Sequence, residues 1–294
     1  MTDKLGHFQM WNGHFRCAIA ITTDAVIEAQ NRLDLGPMAA IAFGRALSCT
    51  ALLASKFKQP TEYVSCTFEG NGPLGKLITE CNGSGHLRGQ IEHPRLAEVL
   101  DPNKDSIPQN IQQAIGGEGT LFVTYGRPGE MPHNSFTELE NGEIATDITK
   151  FLFESEQTPS SVAAGVKLDK DGKVIAAGAA LVQKLGGANI EPEEITKLED
   201  VMTNQLNISD MIYDGKNLGD LFEVISGEKA KSGLLLERPL SYHCPCHRDR
   251  FYQSLRQVNT EERIEIEQQT GKLEVRCPYC HETYHFSSKD FLDS

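Results

Sequence analysis

Two close pairs of cysteines near the end of the chain limit what it can fold into. Cys244-Pro245-Cys246 and Cys277-Pro278-Tyr279-Cys280 hold four of the eight cysteines, with thirty residues between the pairs. Sulfurs one or two residues apart reach one small ion from a single tight turn. Two such turns supply four thiolates in a tetrahedron, the geometry of a structural zinc site. One close pair is weak evidence for a metal; two within so short a segment are strong evidence. The spacing therefore predicts one zinc ion held by Cys244, Cys246, Cys277 and Cys280.

Three other chemistries compete for these residues. Cys277-Pro278-Tyr279-Cys280 also spells a redox dithiol, but only fourteen residues follow Cys280, too few for a thioredoxin-like domain. Cys280-His281 completes a haem c attachment signature, which leaves Cys244 and Cys246 unexplained. Standing disulfides belong to exported proteins, and Met1–His7 carries no apolar export segment. His243, His247, His281 and His285 flank the cysteines; with four sulfurs completing the shell, they read as neighbours rather than ligands. Four thiolates on Zn²⁺ leave a charge of about −2. Arg248, Arg250 and Arg276 are placed either to soften it or simply to face solvent.

The 294 residues, 39% hydrophobic and 23% charged, suit one large domain with a full core and a smaller module. The longest apolar stretch, Met38 to Ala54, is interrupted by Arg45 and Ser48 and is too short and polar for a membrane span. A cytoplasmic protein with reduced thiols is expected, with no membrane partner. The formal charge of −13 repels phosphate backbones and argues against nucleic acid as a partner. Residues 190–230 hold ten acids and three lysines, a net −7. Residues 238–294 hold eight basic and nine acidic residues, with no basic stripe.

Hydrophobic patterning predicts an α+β fold: a large mixed N-terminal domain with a buried helix, a helical linker, and a small C-terminal zinc-binding module. The boundaries expected are 1–186, 187–237 and 238–294. In the first part, Gly36-Pro37 opens a helix to about Lys58 that is apolar on most sides and so buried. Strand-like Glu62–Glu69 and Lys76–Cys81 flank Gly70-Asn71-Gly72-Pro73-Leu74-Gly75. That loop fits the dinucleotide fingerprint by letter, but a strand follows it where a helix is required, so a hairpin connection is expected. Glu143–Phe153 has a helical pattern, and Val162–Leu168 and Lys173–Leu185 form a hairpin around Asp169-Lys170-Asp171-Gly172. Cys17, Cys49, Cys66 and Cys81 lack ligand spacing and read as small buried hydrophobes.

In the linker, Ile195, Leu198, Val201, Met202 and Leu206 recur at helical spacing, followed by Leu218, Leu221, Phe222 and Ile225. The acidic helices have an apolar face that must be covered, either by permanent docking on the large domain or by docking that can be undone. In the terminal module, Phe251, Leu255 and Val258 mark a short helix, and Lys272–Arg276 and Thr283–Phe286 read as strands around the second cysteine pair. So small a core depends on its metal to fold.

These residues resemble the heat-shock protein 33 (33 kDa chaperonin) family of redox-regulated bacterial chaperones. The resemblance rests on the two cysteine pairs together with Phe43-Gly44-Arg45-Ala46-Leu47, Gly70–Gly75, Gly142-Glu143-Ile144-Ala145, Ser155-Glu156-Gln157-Thr158-Pro159-Ser160 and Ala176–Leu185. It implies an ATP-independent holdase with no enzymatic activity, inactive when reduced and zinc-bound. It further implies activation by peroxide with heat or by hypochlorous acid, with Cys244–Cys246 and Cys277–Cys280 disulfides, zinc release and linker unfolding. Unfolded clients and a homodimer of the oxidised form are the partners implied. Client binding is expected on the linker face of Ile195, Leu198, Val201, Met202 and Leu206 and the surface it covers. Two other classes are a zinc-ribbon RNA or ribosome binder, which needs the basic aromatic surface missing here, and a thiol oxidoreductase using Cys277 and Cys280.

Overall fold

In the computed structural model, which describes residues 2–100, 107–185 and 192–291, the chain opens with a hairpin. Strands β1 (Lys4–Met10) and β2 (Phe15–Ile21) turn through Trp11, Asn12 and Gly13, all at positive φ. Helices α1 (Thr23–Leu33) and α2 (Pro37–Leu53) follow. Pro37 takes the first helical position, where its missing N–H leaves nothing unpaired. Next come β3 (Tyr63–Gly70), β4 (Leu77–Asn82), β5 (His86–Ile91), α3 (Ile111–Ile115), β6 (Gly119–Gly126) and β7 (His133–Glu138). Helix α4 (Ile144–Glu154) and the long hairpin β8 (Ser160–Leu168) and β9 (Val174–Lys184) end this part. A covering segment then runs through α5 (Pro192–Asp200), a π-helical turn at Val201–Gln205, α6 (Ile208–Tyr213), α7 (Leu218–Ser226) and α8 (Ala230–Gly233). Strands β10 (Leu234–Pro239) and β11 (Ser241–Tyr242) return it to the sheets.

One sheet has the order β10-β1-β2-β9-β8 and the other β11-β5-β4-β3-β6-β7. Every pairing is antiparallel except β11 on β5. Helix α2 lies between them, its Ala39, Ala40, Ala42 and Ala46 small enough for close approach to strands on both sides. The stretch Pro37–Lys56 is long and apolar enough to cross a membrane, but 83% of its apolar window is buried inside the protein. It is a core helix, as its all-round apolar pattern predicts.

The first sheet is buried on both faces. Ala18, Ala20, Ala177 and Ala179 face α2, while Cys17, Ile19, Ala180 and Val182 point the other way. The covering segment lies on that second face with Leu198, Met202, Ile208, Leu221 and Phe222. Phe222 stacks on Phe8 at 4.5 Å, and Trp11 Nε1 donates to the Ser226 carbonyl at 2.9 Å.

The expected linker, helical through residue 237, needs correction at its end: Leu234–Glu237 belong to β10. The outer edge of β1 offers main-chain partners, with Lys4 opposite Pro239 and Leu5 opposite Arg238. The expected module start at 238 thus falls within β10, and the chain divides into compact units between His243 and Cys244. The other expected boundary, 186/187, lies outside the described residues.

The Gly70–Gly75 loop is the β3–β4 connection, as its context predicts. Its amides are already used: Gly72 N–H donates to Ile115 O at 2.7 Å and Leu74 N–H to Ala114 O at 3.0 Å. A Cβ on Gly72 would run into the backbone of Ala114, Ile115 and Gly116. Gly72→Ala is expected to cost the large unit about 1–3 kcal/mol, read as a lower denaturation midpoint. An unchanged midpoint would show that the loop yields freely.

The terminal unit, Cys244–Ser294, has α9 (Arg248–Leu255), α10 (Thr260–Thr270), β12 (Leu273–Arg276) and β13 (Thr283–Phe286). Leu273, Phe286 and Phe291 form its buried core, with Phe251, Tyr252, Leu255, Val275 and Tyr284 at the margin. Val258 follows α9 rather than lying within it.

Candidate metal centre

Strands β12 and β13 pair with Arg276 opposite Thr283, so the loop between them must reverse tightly. Cys277 N–H donates to Glu282 O, and His281 N–H to Cys277 O, each at 2.9 Å. His281 takes a left-handed φ of 58° to close the turn. That knuckle presents Cys277 and Cys280. Cys244 and Cys246 come from the irregular stretch before α9.

All four sulfurs lie within 4.8 Å of one another, and no histidine joins the cluster among the described residues. Cys244 Sγ is 3.7 Å from Cys277 Sγ, and Cys246 Sγ is 3.2 Å from Cys280 Sγ. Four sulfurs about 2.3 Å from a central ion would be separated by about 3.8 Å. The thiols are free, with Cys277 and Cys280 buried and Cys244 and Cys246 half-buried. The cluster can therefore hold a metal ion, and a set of four soft thiolates suits zinc or an iron–sulfur group.

Hydrogen bonds point at these sulfurs from their own turns. Cys246 N–H serves Cys244, and Glu282 N–H serves Cys280. Burial, followed by contacts with other cysteines, pushes the Cys244 and Cys280 thiols up. Burial also raises Cys246, but hydrogen bonds from Tyr284 and the three other cysteines bring it below an ordinary thiol. Four crowded sulfurs resist ionising together unless a cation compensates them.

The flanking cations serve other roles. Arg248 pairs with Asp290 at 2.8 Å and lies over the Phe286 ring. Arg250 and Arg276 are exposed. His285 lies 3.6 Å from Glu274, and His247 occupies the N-cap position of α9. His243 belongs to the large unit and packs on His86. Cys17, Cys49, Cys66 and Cys81 are all buried in the large unit. Burial raises their thiol pKa values, those of Cys66 and Cys81 to about 12.

The structure places the linker residues on the outer face of the first sheet. Leu198 and Met202 are buried there, with Leu206 packed beside them. Ile195 is half-buried and, with Leu198, Phe15, Phe153 and Val182, lines an open groove of about 600 Å³. Val201 is half-buried at the start of the π turn. The part played by Tyr284, whose hydroxyl reaches Cys246 Sγ at 3.3 Å, was missed in the sequence.

A two-sheet α+β unit followed by a small four-sulfur module defines the class. The sequence model of the Hsp33 protein family matches residues 3–287. A 33 kDa chaperonin of Desulfotalea psychrophila is 34% identical, the match covering 100% of this chain and 97% of that protein. Its Bacillus subtilis counterpart is 30% identical, with 98% and 96% covered. The crystal structure of the 33 kDa chaperonin from Thermotoga maritima superposes with a TM-score of 0.86. That comparison has 28% identity and covers 99% of this chain and 97% of the other. The chain belongs to the Hsp33 family. The chaperonin name of its relatives implies a non-enzymatic role.

Proposed function

We propose that this protein is an ATP-independent holdase of the cytoplasm, inactive while its four terminal cysteines hold zinc and activated when they are oxidised. The observation that carries the reading is the sulfur cluster in a unit too small to fold well alone. Cys244, Cys246, Cys277 and Cys280 would hold one zinc ion, whose bound charge keeps all four sulfurs ionised and the two halves of the unit together. Oxidation by a peroxide pairs Cys244 with Cys246 and Cys277 with Cys280. Four thiolates give up four electrons, and two peroxide molecules take these with four protons to leave two disulfides and four waters. Disulfide sulfurs are poor ligands, so the oxidised Cys244, Cys246, Cys277 and Cys280 would no longer hold a metal and the unit would lose its organising centre.

The two-sheet body that ends at β9 then acts as the chaperone domain, the helical segment from α5 through α8 as the releasable cover and Cys244–Ser294 as the redox sensor. Clients bind the linker face of Ile195, Leu198, Val201, Met202 and Leu206 and the sheet surface beneath it. The net charge of −7 over residues 190–230 keeps the opened form dispersed. The active state is a homodimer, its ligands are unfolded proteins rather than nucleic acid or membrane, and its setting is oxidative and heat stress.

The test is light scattering by a heat-unfolded client with the reduced, zinc-loaded protein or the protein pre-treated with peroxide at elevated temperature. Suppression of aggregation by the oxidised sample alone is expected. Equal suppression by both would reduce the metal to a structural part. No suppression by either would discard the holdase reading.

A further inference from the structure

Tyr284 belongs to two environments at once. Its ring packs against Phe251, centroids 5.0 Å apart, at the margin of the terminal core. Its hydroxyl lies 3.3 Å from Cys246 Sγ, and it is the donor whenever that sulfur is a thiolate, which has no proton to give. The main-chain donors to Cys244 and Cys280 come from the same short turns as the sulfurs they serve. They persist as long as those turns persist. The Tyr284 hydroxyl instead arrives from 38 residues away, on a strand held by the core. It stays at Cys246 only while that core is packed.

A hydrogen bond donated to a sulfur occupies the electron pair that must attack an oxidant and lowers its nucleophilicity. We propose that Tyr284 is a positioning residue that shields Cys246 from oxidation while the terminal core is packed, so that local melting exposes a reactive sulfur. The inference rests on the thiol-oxidation reading above and supplies its link between heat and redox chemistry. In the step held back, the Cys246 thiolate attacks one oxygen of a peroxide. An S–O bond forms, the O–O bond breaks and hydroxide leaves. A neighbouring thiolate then displaces hydroxide from that sulfur, closing the S–S bond.

Cys244 is the internal control, since it sits two residues away and is also half-buried. The experiment compares the full-length zinc-loaded protein with Tyr284→Phe, which keeps the ring and removes the donor. Alkylation by iodoacetamide is followed cysteine by cysteine by peptide mass. The Cys246-to-Cys244 rate ratio is expected to rise about tenfold in Tyr284→Phe at ambient temperature. Heating should raise the ratio in the wild type and leave it nearly constant in the variant. Phe251→Ala, which removes the ring's seat and keeps the hydroxyl, should give an intermediate ratio. An unchanged ratio in Tyr284→Phe, or equal acceleration of all four cysteines, would overturn the proposal. Alkylation uses no oxidant, so a separate failure of peroxide to release zinc would count against the redox reading alone.

Discussion

Replacing Cys277 or Cys280 by serine is expected to abolish zinc binding by the terminal unit and to unfold it while the large unit keeps its core. Structural zinc contributes about 10–16 kcal/mol of apparent binding energy at neutral pH. Against that stands a core of three buried side chains, Leu273, Phe286 and Phe291, each worth about 1.5–3 kcal/mol. Ordering each residue's backbone costs roughly 1–2 kcal/mol, so the core cannot hold the unit without the ion. The large unit has its own core around α2 and no sulfur ligand in the cluster. Metal analysis together with dispersion of amide resonances would check both halves. Unchanged zinc stoichiometry in either variant would sink the four-cysteine site.

The second large effect is expected from Leu198→Asp combined with Met202→Asp. Both side chains are nearly fully buried, at 6% and 3% exposure, on the outer face of the first sheet. A carboxylate buried there costs several kcal/mol to desolvate, more fully at Met202 than at Leu198, whose groove Lys150 and Lys184 also line. The covering segment would lift off, exposing its own apolar face and the Phe8, Ile19 and Val182 surface below. The double variant should suppress client aggregation while still reduced, with its zinc content unchanged. If holdase activity and its redox dependence were both untouched, the cover would have no part in client binding.

The parts of this fold that rest on local chemistry were legible in the sequence. The cysteine spacing marked the sulfur cluster, the all-round apolar pattern marked α2, and the turn at Asp169–Gly172 marked the β8–β9 hairpin. Misses occurred where the deciding partner is remote. Strand β1 carries a weak pattern of its own, and what fixes it is pairing with β2 on one side and with residues 234–239 on the other. The same pairing turns Leu234–Leu236 from the end of a helix into a strand. Tyr284 looks like any strand tyrosine until the fold brings it to Cys246. Helix α10 is a different case, absent from the expected elements although its signals are local. Asn259 caps it by accepting from Glu261 N–H, Glu261 and Glu262 occupy its first turn, and Gly271 closes it in the left-handed conformation.

The cover over the first sheet is fastened at both ends to the sheet it covers, since it leaves from β9 and returns as β10. If it lifts as proposed, it would become a closed loop and not a loose tail. A tethered segment of this kind faces its own docking site at an effective concentration of the order of millimolar. Any polypeptide on a surface bared in that way would therefore compete continuously with an intramolecular rival. Weakly held chains would be displaced as soon as the loop regained its helices, and only those presenting extensive apolar surface would persist. Selectivity for badly unfolded chains, and their discharge on recovery, would then follow from connectivity alone, with no nucleotide needed to drive the cycle.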